Sequence, residues 1–177
     1  MSAEDAIPLF PRDYIPRILA TVLLHAGTLK KEHQLEREDA ITDRLFKRLR
    51  KDKFLRDSPF FLIREHTLFD EDISEGGQRG RVDINLIAPP GDETYFAIEA
   101  KRLHVAFPSG WQSLIHEYVA GKQGMMCFVT GKYSPFQQAA AMLGYVFDGD
   151  VAKAQSGIDD SVQRNARTLQ LLPPLRL

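Results

Sequence analysis

A chain of 177 residues with 44% apolar and 27% charged side chains has the size and balance of one globular domain with a proper core, which argues against a disordered or fibrous protein. Its formal net charge of −1 excludes attraction of nucleic acid by the overall field, so a nucleic-acid binder of this composition must gather positive charge locally. The single cysteine, Cys127, rules out a disulfide within the chain, and no apolar run reaches the ~20 residues of a membrane span; a reducing, cytoplasmic setting without membrane contact is the expectation.

The first dozen residues, with Pro8, Pro11 and then Pro16, read as an irregular lead-in, followed by a helix over Ile15–Ala26 that Gly27 closes. Residues 1–27 thus form a lead-in and helix ahead of the main body. From Thr28 or Lys30 to Lys53 the spacing of Leu35, Ile41, Leu45 and Leu49 predicts the strongest helix of the chain, with Arg and Lys on its other side. Asp57-Ser58-Pro59 ends it. Phe60–His66 reads as a strand that can run on to Phe69, and the acidic and glycine-rich stretch from Asp70 to Gly80 as a loop. Arg81–Ala88 and Thr94–Lys101 are two further strands around the turn Pro89-Pro90-Gly91-Asp92-Glu93.

Pro108-Ser109-Gly110 introduces an expected helix through Trp111, Leu114, Ile115 and Tyr118, closed by Gly121. Met125–Thr130 reads as a buried strand holding Cys127, Phe136–Leu143 as a short helix and Tyr145–Phe147 as a short strand. A helix is expected around Asp159–Arg167, then a proline-interrupted tail over 168–177. The order predicts one α/β domain over 1–177, a mixed sheet flanked by helices.

Chemistry concentrates in the Arg81–Lys101 hairpin. If its turn is symmetric about Gly91, Asp83 lies opposite Glu99 and Arg81 opposite Lys101, and opposed residues share a face. Alternation then puts Asp83, Glu99 and Lys101 together, with Asn85 and Tyr95 as neighbours, while Val82, Ile84, Leu86, Phe96, Ile98 and Ala100 form the core face. Two adjacent carboxylates repel unless a proton or cation intervenes. Hard oxygen donors without a Cys/His cluster favour Mg2+ or Mn2+ over zinc, and Lys101 beside such an ion would orient a water or offset charge on a phosphate.

The stretch Gly80-Arg81-Val82-Asp83, followed by Ile98-Glu99-Ala100-Lys101, resembles the signature of the PD-(D/E)XK (restriction-endonuclease-like) nuclease superfamily. There an acidic residue on one strand is followed by Glu-x-Lys on the next. The resemblance covers roughly residues 30–130 and departs at Val82, where the motif's name has proline. It implies a restriction-endonuclease-like core and metal-dependent cleavage of phosphodiester bonds, in DNA rather than RNA. It also implies metal binding by Asp83 and Glu99 with the Ala100 carbonyl, and a catalytic Lys101. The helix before the strands often supplies a further Glu in that superfamily; Glu38 fits, sharing a helical stripe with Thr42, Leu45 and Leu49.

Arg81, Arg102, His104, Gln112 and His116 are the candidate substrate contacts, the last two expected one turn apart on the helix after Glu-x-Lys. Lys30, Arg37, Arg44, Arg48 and Lys51 read as a solvated helix face, since Glu36, Asp43 and Asp52 are interleaved. Asp148 and Asp150 suit a loop or helix cap. A nuclease this compact has little room for a sequence-reading domain, which suggests a homodimer or a partner subunit. The alternative is a non-catalytic nucleic-acid-binding or assembly subunit of the same fold.

Overall fold

The computed structural model describes residues 9–69, 78–91, 93–133 and 137–171. Helix α1 (Ile15–Gly27) and helix α2 (Glu38–Leu49) precede a short helix α3 (Lys53–Asp57). The long helix expected from Thr28 or Lys30 to Lys53 is therefore shorter, and its end is cut by a cap. Asp52 accepts the backbone N–H groups of Phe54 and Leu55 and so starts α3 instead of extending α2. On α2 the stripe Ile41, Thr42, Leu45 and Leu49 is buried, as its helical spacing requires.

Strands β1 (Phe61–Phe69), β2 (Gln78–Ile87) and β3 (Tyr95–Leu103) form an antiparallel meander, and β6 (Ala140–Val146) lies parallel to β3 on its other side. The sheet order is β1-β2-β3-β6, a central mixed sheet flanked by helices. β2 and β3 are the inner strands, and all six residues from Tyr95 to Ala100 on β3 are buried because layers cover both faces. On one face Ile84, Leu86, Phe96, Ile98 and Ala100 pack with Ile18 and Val22 of α1 and Ile41, Leu45 and Leu49 of α2. On the other, Ile87, Tyr95 and Ala97 pack with Cys127 and Tyr133.

Val82 breaks the expected alternation. It belongs to the second cluster, with Leu68, Tyr95 and Ala97, and not to the face of Ile84. The cause is a local irregularity: Glu65 has φ 56°, and no Glu65–Asp83 pair forms between the flanking Arg64–Ile84 and His66–Val82 pairs. The pleat is interrupted at that point.

The crossover from β3 to β6 holds the largest departures from expectation. Residues 110–112 form β5, which pairs with β4 (Val105–Phe107) as a small hairpin, and helix α4 covers only Ile115–Val119. Gly110 pairs with Phe107 at φ 122°, a conformation open to glycine that cannot begin a helix. Trp111 is consequently 48% exposed instead of packed in the core. Met126–Val129 is a short helix, α5, since β6 already occupies the place beside β3. Residues 140–143, expected in a helix, belong to β6, which absorbs the expected strand at 145–147 as far as Val146. The last helix, α6 (Val151–Arg164), starts earlier than expected because Asp150 accepts the Lys153 N–H as its cap. Among the described residues no helix is long and apolar enough to cross a membrane. The expected loop at 70–80 lies partly outside the described residues, and 78–80 belong to β2.

Candidate active site

The β2–β3 ladder follows the register of a turn centred on Gly91: Ile87 pairs with Tyr95 and Ile84 with Ile98. There the pairing ends. β2 stays with β1 as far as Gly80–Leu68 and on to Gln78–Phe69, while β3 stays with β6 as far as Leu103–Val146. The two strands part while each keeps its other neighbour, and the sheet splits. Asp83 and Glu99 are the first residues past the last pair, one on each lip.

Side chains take up the polar groups at this split. Asp83 Oδ2 accepts the backbone N–H of Ala100 at 2.8 Å, so a carboxylate replaces a strand as partner. Arg64 Nη1 donates to the Asp83 carbonyl at 2.9 Å and lies 3.3 Å from its Oδ1. Lys101 Nζ donates to Glu99 Oε1 at 2.7 Å, to the Ala100 carbonyl at 2.8 Å and to Glu38 Oε1 at 3.3 Å. Glu38, at the first turn of α2, also accepts the Arg102 backbone N–H at 2.7 Å. Helix and strand are thus tied at the site.

Three carboxylates face two cations here, and the imbalance is buried. Glu99 is only 3% exposed, and its Oε2 has no hydrogen-bond partner among the described residues. Burial, then repulsion from Asp83, pushes the Glu99 pKa up to about 7 despite the attraction of Lys101. Burial also raises Asp83, against the Ala100 N–H, Lys101 and Arg64, and raises Glu38, against Lys101. For Lys101 burial acts downward, but the fields of Glu99, Glu38 and Asp83 win and hold it above the ordinary lysine value. Lys101 therefore stays an ammonium. A buried carboxylate oxygen without a partner, next to a second carboxylate, costs stability and marks a functional site more often than a structural one.

The chain matches no protein-family model, no curated protein and no solved structure.

Asp83 and Glu99 suit a hard divalent cation: their donors are carboxylate oxygens, their charge is under-compensated, and Glu99 Oε2 is free to accept. Glu38 and the Ala100 carbonyl are otherwise engaged, because both hold the Lys101 ammonium. Among the described residues no three Asp, Glu, His or Cys side chains are grouped as a ready cation site. The fit accordingly rests on the Asp83–Glu99 pair.

A cleft of about 490 Å3 opens beside this cluster, with Glu38, Lys101 and Arg102 in its lining and Lys122, Gln123 and Lys132 exposed around it. A larger groove of about 790 Å3, bordered by α1 and the end of β6, is mostly aliphatic and includes none of the clustered carboxylates. Of the expected substrate contacts, only Arg102 lines the cleft, and its guanidinium also donates to the Glu36 carbonyl at 2.9 Å. Arg81 pairs with Glu65 at 3.2 Å. His104 is buried against Trp111, 3.2 Å from Asp148, and presents no face to solvent. Gln112 lies on β5 and His116 is exposed on α4, so they do not share a helix. None of these four lines the cleft.

Arg64 was not among the sequence candidates. Its signal was a cation directly after the apolar run Phe60-Phe61-Leu62-Ile63 on a strand, where a partly buried charge needs a partner. Of the five cations read as a solvated helix face, Lys30, Arg37 and Lys51 are exposed, while Arg44 pairs with Glu36 and Glu32 and Arg48 donates to Thr28 and the His25 carbonyl.

Proposed function

We propose that this chain is a metal-dependent nuclease with a restriction-endonuclease-like core, hydrolysing phosphodiester bonds with DNA as the favoured substrate. The observation that carries the reading is the buried, partnerless Glu99 Oε2 beside Asp83 at the split of β2 and β3, with Lys101 on Glu99. The order of α2 and then β1–β2–β3 supports it, since the resemblance implies a helix before the strands; the strand expected at 125–130 is instead helix α5, and the parallel strand β6 lies beyond the residues the resemblance covers.

Asp83 and Glu99 would hold Mg2+ or Mn2+. Such an ion supplies charge neutralisation at a phosphate oxygen and acidification of an attacking water. The carboxylates around Lys101 raise its pKa and favour the ammonium beside that water. Its part is to donate hydrogen bonds, orienting the nucleophile or meeting the negative charge that develops on the phosphate. Glu38 positions Lys101 and the Arg102 main chain, so we assign it to holding the machinery in place.

Incubation of supercoiled plasmid and of DNA and RNA oligonucleotides with Mg2+, Mn2+ or EDTA tests this. Wild type should cleave only with a divalent cation, and Glu99→Ala and Lys101→Ala should each lose about 100-fold or more. Equal cleavage by wild type and both variants would overturn the proposal. A second reading, a non-catalytic subunit of the same fold, draws on one observation: Lys101 already occupies the Glu38 and Ala100 oxygens. Nucleic-acid binding without cleavage under any of these conditions would favour it.

A further inference from the structure

Two turns around the cleft are held with more precision than exposed loops require. The first joins α4 to α5. A Cβ on Gly121 would lie 2.6 Å from the Glu117 carbonyl oxygen, and one on Gly124 would overlap the carbonyl oxygens of Glu117 and Tyr118. Ala120 and Gly121 donate to the His116 carbonyl at 2.8 and 2.9 Å, and Met125 donates to that of Tyr118 at 2.9 Å. The Cys127 thiol donates to the Lys122 carbonyl at 2.7 Å. The second turn follows α5: Gly131 has φ 70°, and Tyr133 donates its N–H to the Cys127 carbonyl at 3.0 Å while its ring is buried against Gly80. Each fixed turn carries an exposed lysine, Lys122 or Lys132, and both line the cleft that contains Lys101 and Arg102.

We propose that Lys122 and Lys132 bind the phosphate backbone of the nucleic acid in the cleft that Lys101 and Arg102 also line, so that this cleft is the track of the strand beside the Asp83–Glu99 pair. The inference rests on the nuclease reading and adds the contacts which that reading lacks, because the expected Arg81, His104, Gln112 and His116 lie elsewhere. Four cations line the cleft against Glu38 and Glu117, in a chain whose net charge is −1. Positive charge is therefore local, as a neutral nucleic-acid binder demands. Lysine supplies point charges without a base-reading fork, so the contacts are independent of sequence. Main-chain anchoring fixes the root of each lysine, and the Lys132 ammonium lies 5.4 Å from the centre of the Tyr133 ring.

Fluorescence anisotropy of a labelled 20-base-pair duplex in EDTA, at a series of KCl concentrations, tests the proposal. Each lost phosphate contact on duplex DNA lowers the salt slope by about 0.9. The double variant Lys122→Ala/Lys132→Ala should therefore show a slope smaller by about 2 and bind about tenfold or more weakly at 0.1 M salt, with unchanged melting. Lys47→Ala/Lys51→Ala removes the same charge from the end of α2 and the turn after it and should retain the wild-type slope. An unchanged slope in the first variant, or an equal loss in the second, would overturn the proposal. If wild type cleaves with Mg2+ while the first variant keeps the wild-type slope, the cleft contacts fail and the nuclease reading stands. If the first variant loses its slope but wild type cleaves nothing, the nuclease reading fails and the contacts stand.

Discussion

Glu99 is where the physical cost of this molecule is most concentrated. Its carboxyl titrates at about 7 in the folded chain, against an ordinary value of 4.5. Between those values the folded chain holds a proton that the unfolded chain has lost. The stabilisation is fully present below pH ~4.5, falls as pH rises, and is gone above about 7. In the metal-free protein the melting temperature should therefore be higher at pH 6 than at pH 8. Glu99→Gln should flatten that dependence and melt above wild type at pH 8, by on the order of 2–3 kcal/mol. Thermal melts in EDTA check this, and a Glu99→Gln protein that melts below wild type at pH 8 would contradict it. Lys101 is the complementary case. Lys101→Met leaves Glu99, Glu38 and the Ala100 carbonyl without their shared donor, and urea unfolding at pH 8 should show a loss of about 3–5 kcal/mol.

At the scale of elements, the parts legible in the sequence were those whose side chains obey one periodicity. The β2–β3 register could be counted from Gly91 because a short turn leaves few alternatives, and the α2 stripe from Glu38 to Leu49 because four residues repeat at helical spacing. Where the sequence misled, tertiary context overrode local preference. Ala139-Ala140-Ala141-Met142-Leu143 favours helix on propensity, yet 140–143 are drawn into β6 beside β3. Met126–Val129 is an apolar run too short for periodicity to separate strand from helix, and the glycine-bound turn before it sets the outcome. The Asp83–Ala100 contact was not legible, since it depends on β2 and β3 parting and not on any residue spacing. Two substitutions test the elements. Asp52→Ala should cost about 1 kcal/mol through the lost α3 cap. Gly124→Ala should cost about 1–3 kcal/mol or more, because the obstructing atoms are backbone carbonyl oxygens that cannot swing aside. Chemical denaturation of each variant measures both; a neutral Gly124→Ala would show that the turn yields.

At the scale of the whole molecule, an almost neutral chain brings three carboxylates and two cations together at one point of the sheet. Glu99 is buried and Asp83 half-buried at the split of β2 and β3, and four cations line the adjoining cleft with Glu38 and Glu117. The sheet serves this by holding both lips rigidly, β2 through β1 and β3 through β6, while leaving the gap between them to side chains. We propose that the Asp83–Glu99 pair binds a divalent cation. Isothermal titration of Mn2+ into the metal-free protein at pH 7 tests it most directly. One ion should bind per chain, with release of a fraction of a proton from Glu99, and Glu99→Gln should abolish both signals. Binding of equal strength in Glu99→Gln, or no binding by wild type at millimolar Mn2+, would contradict the account.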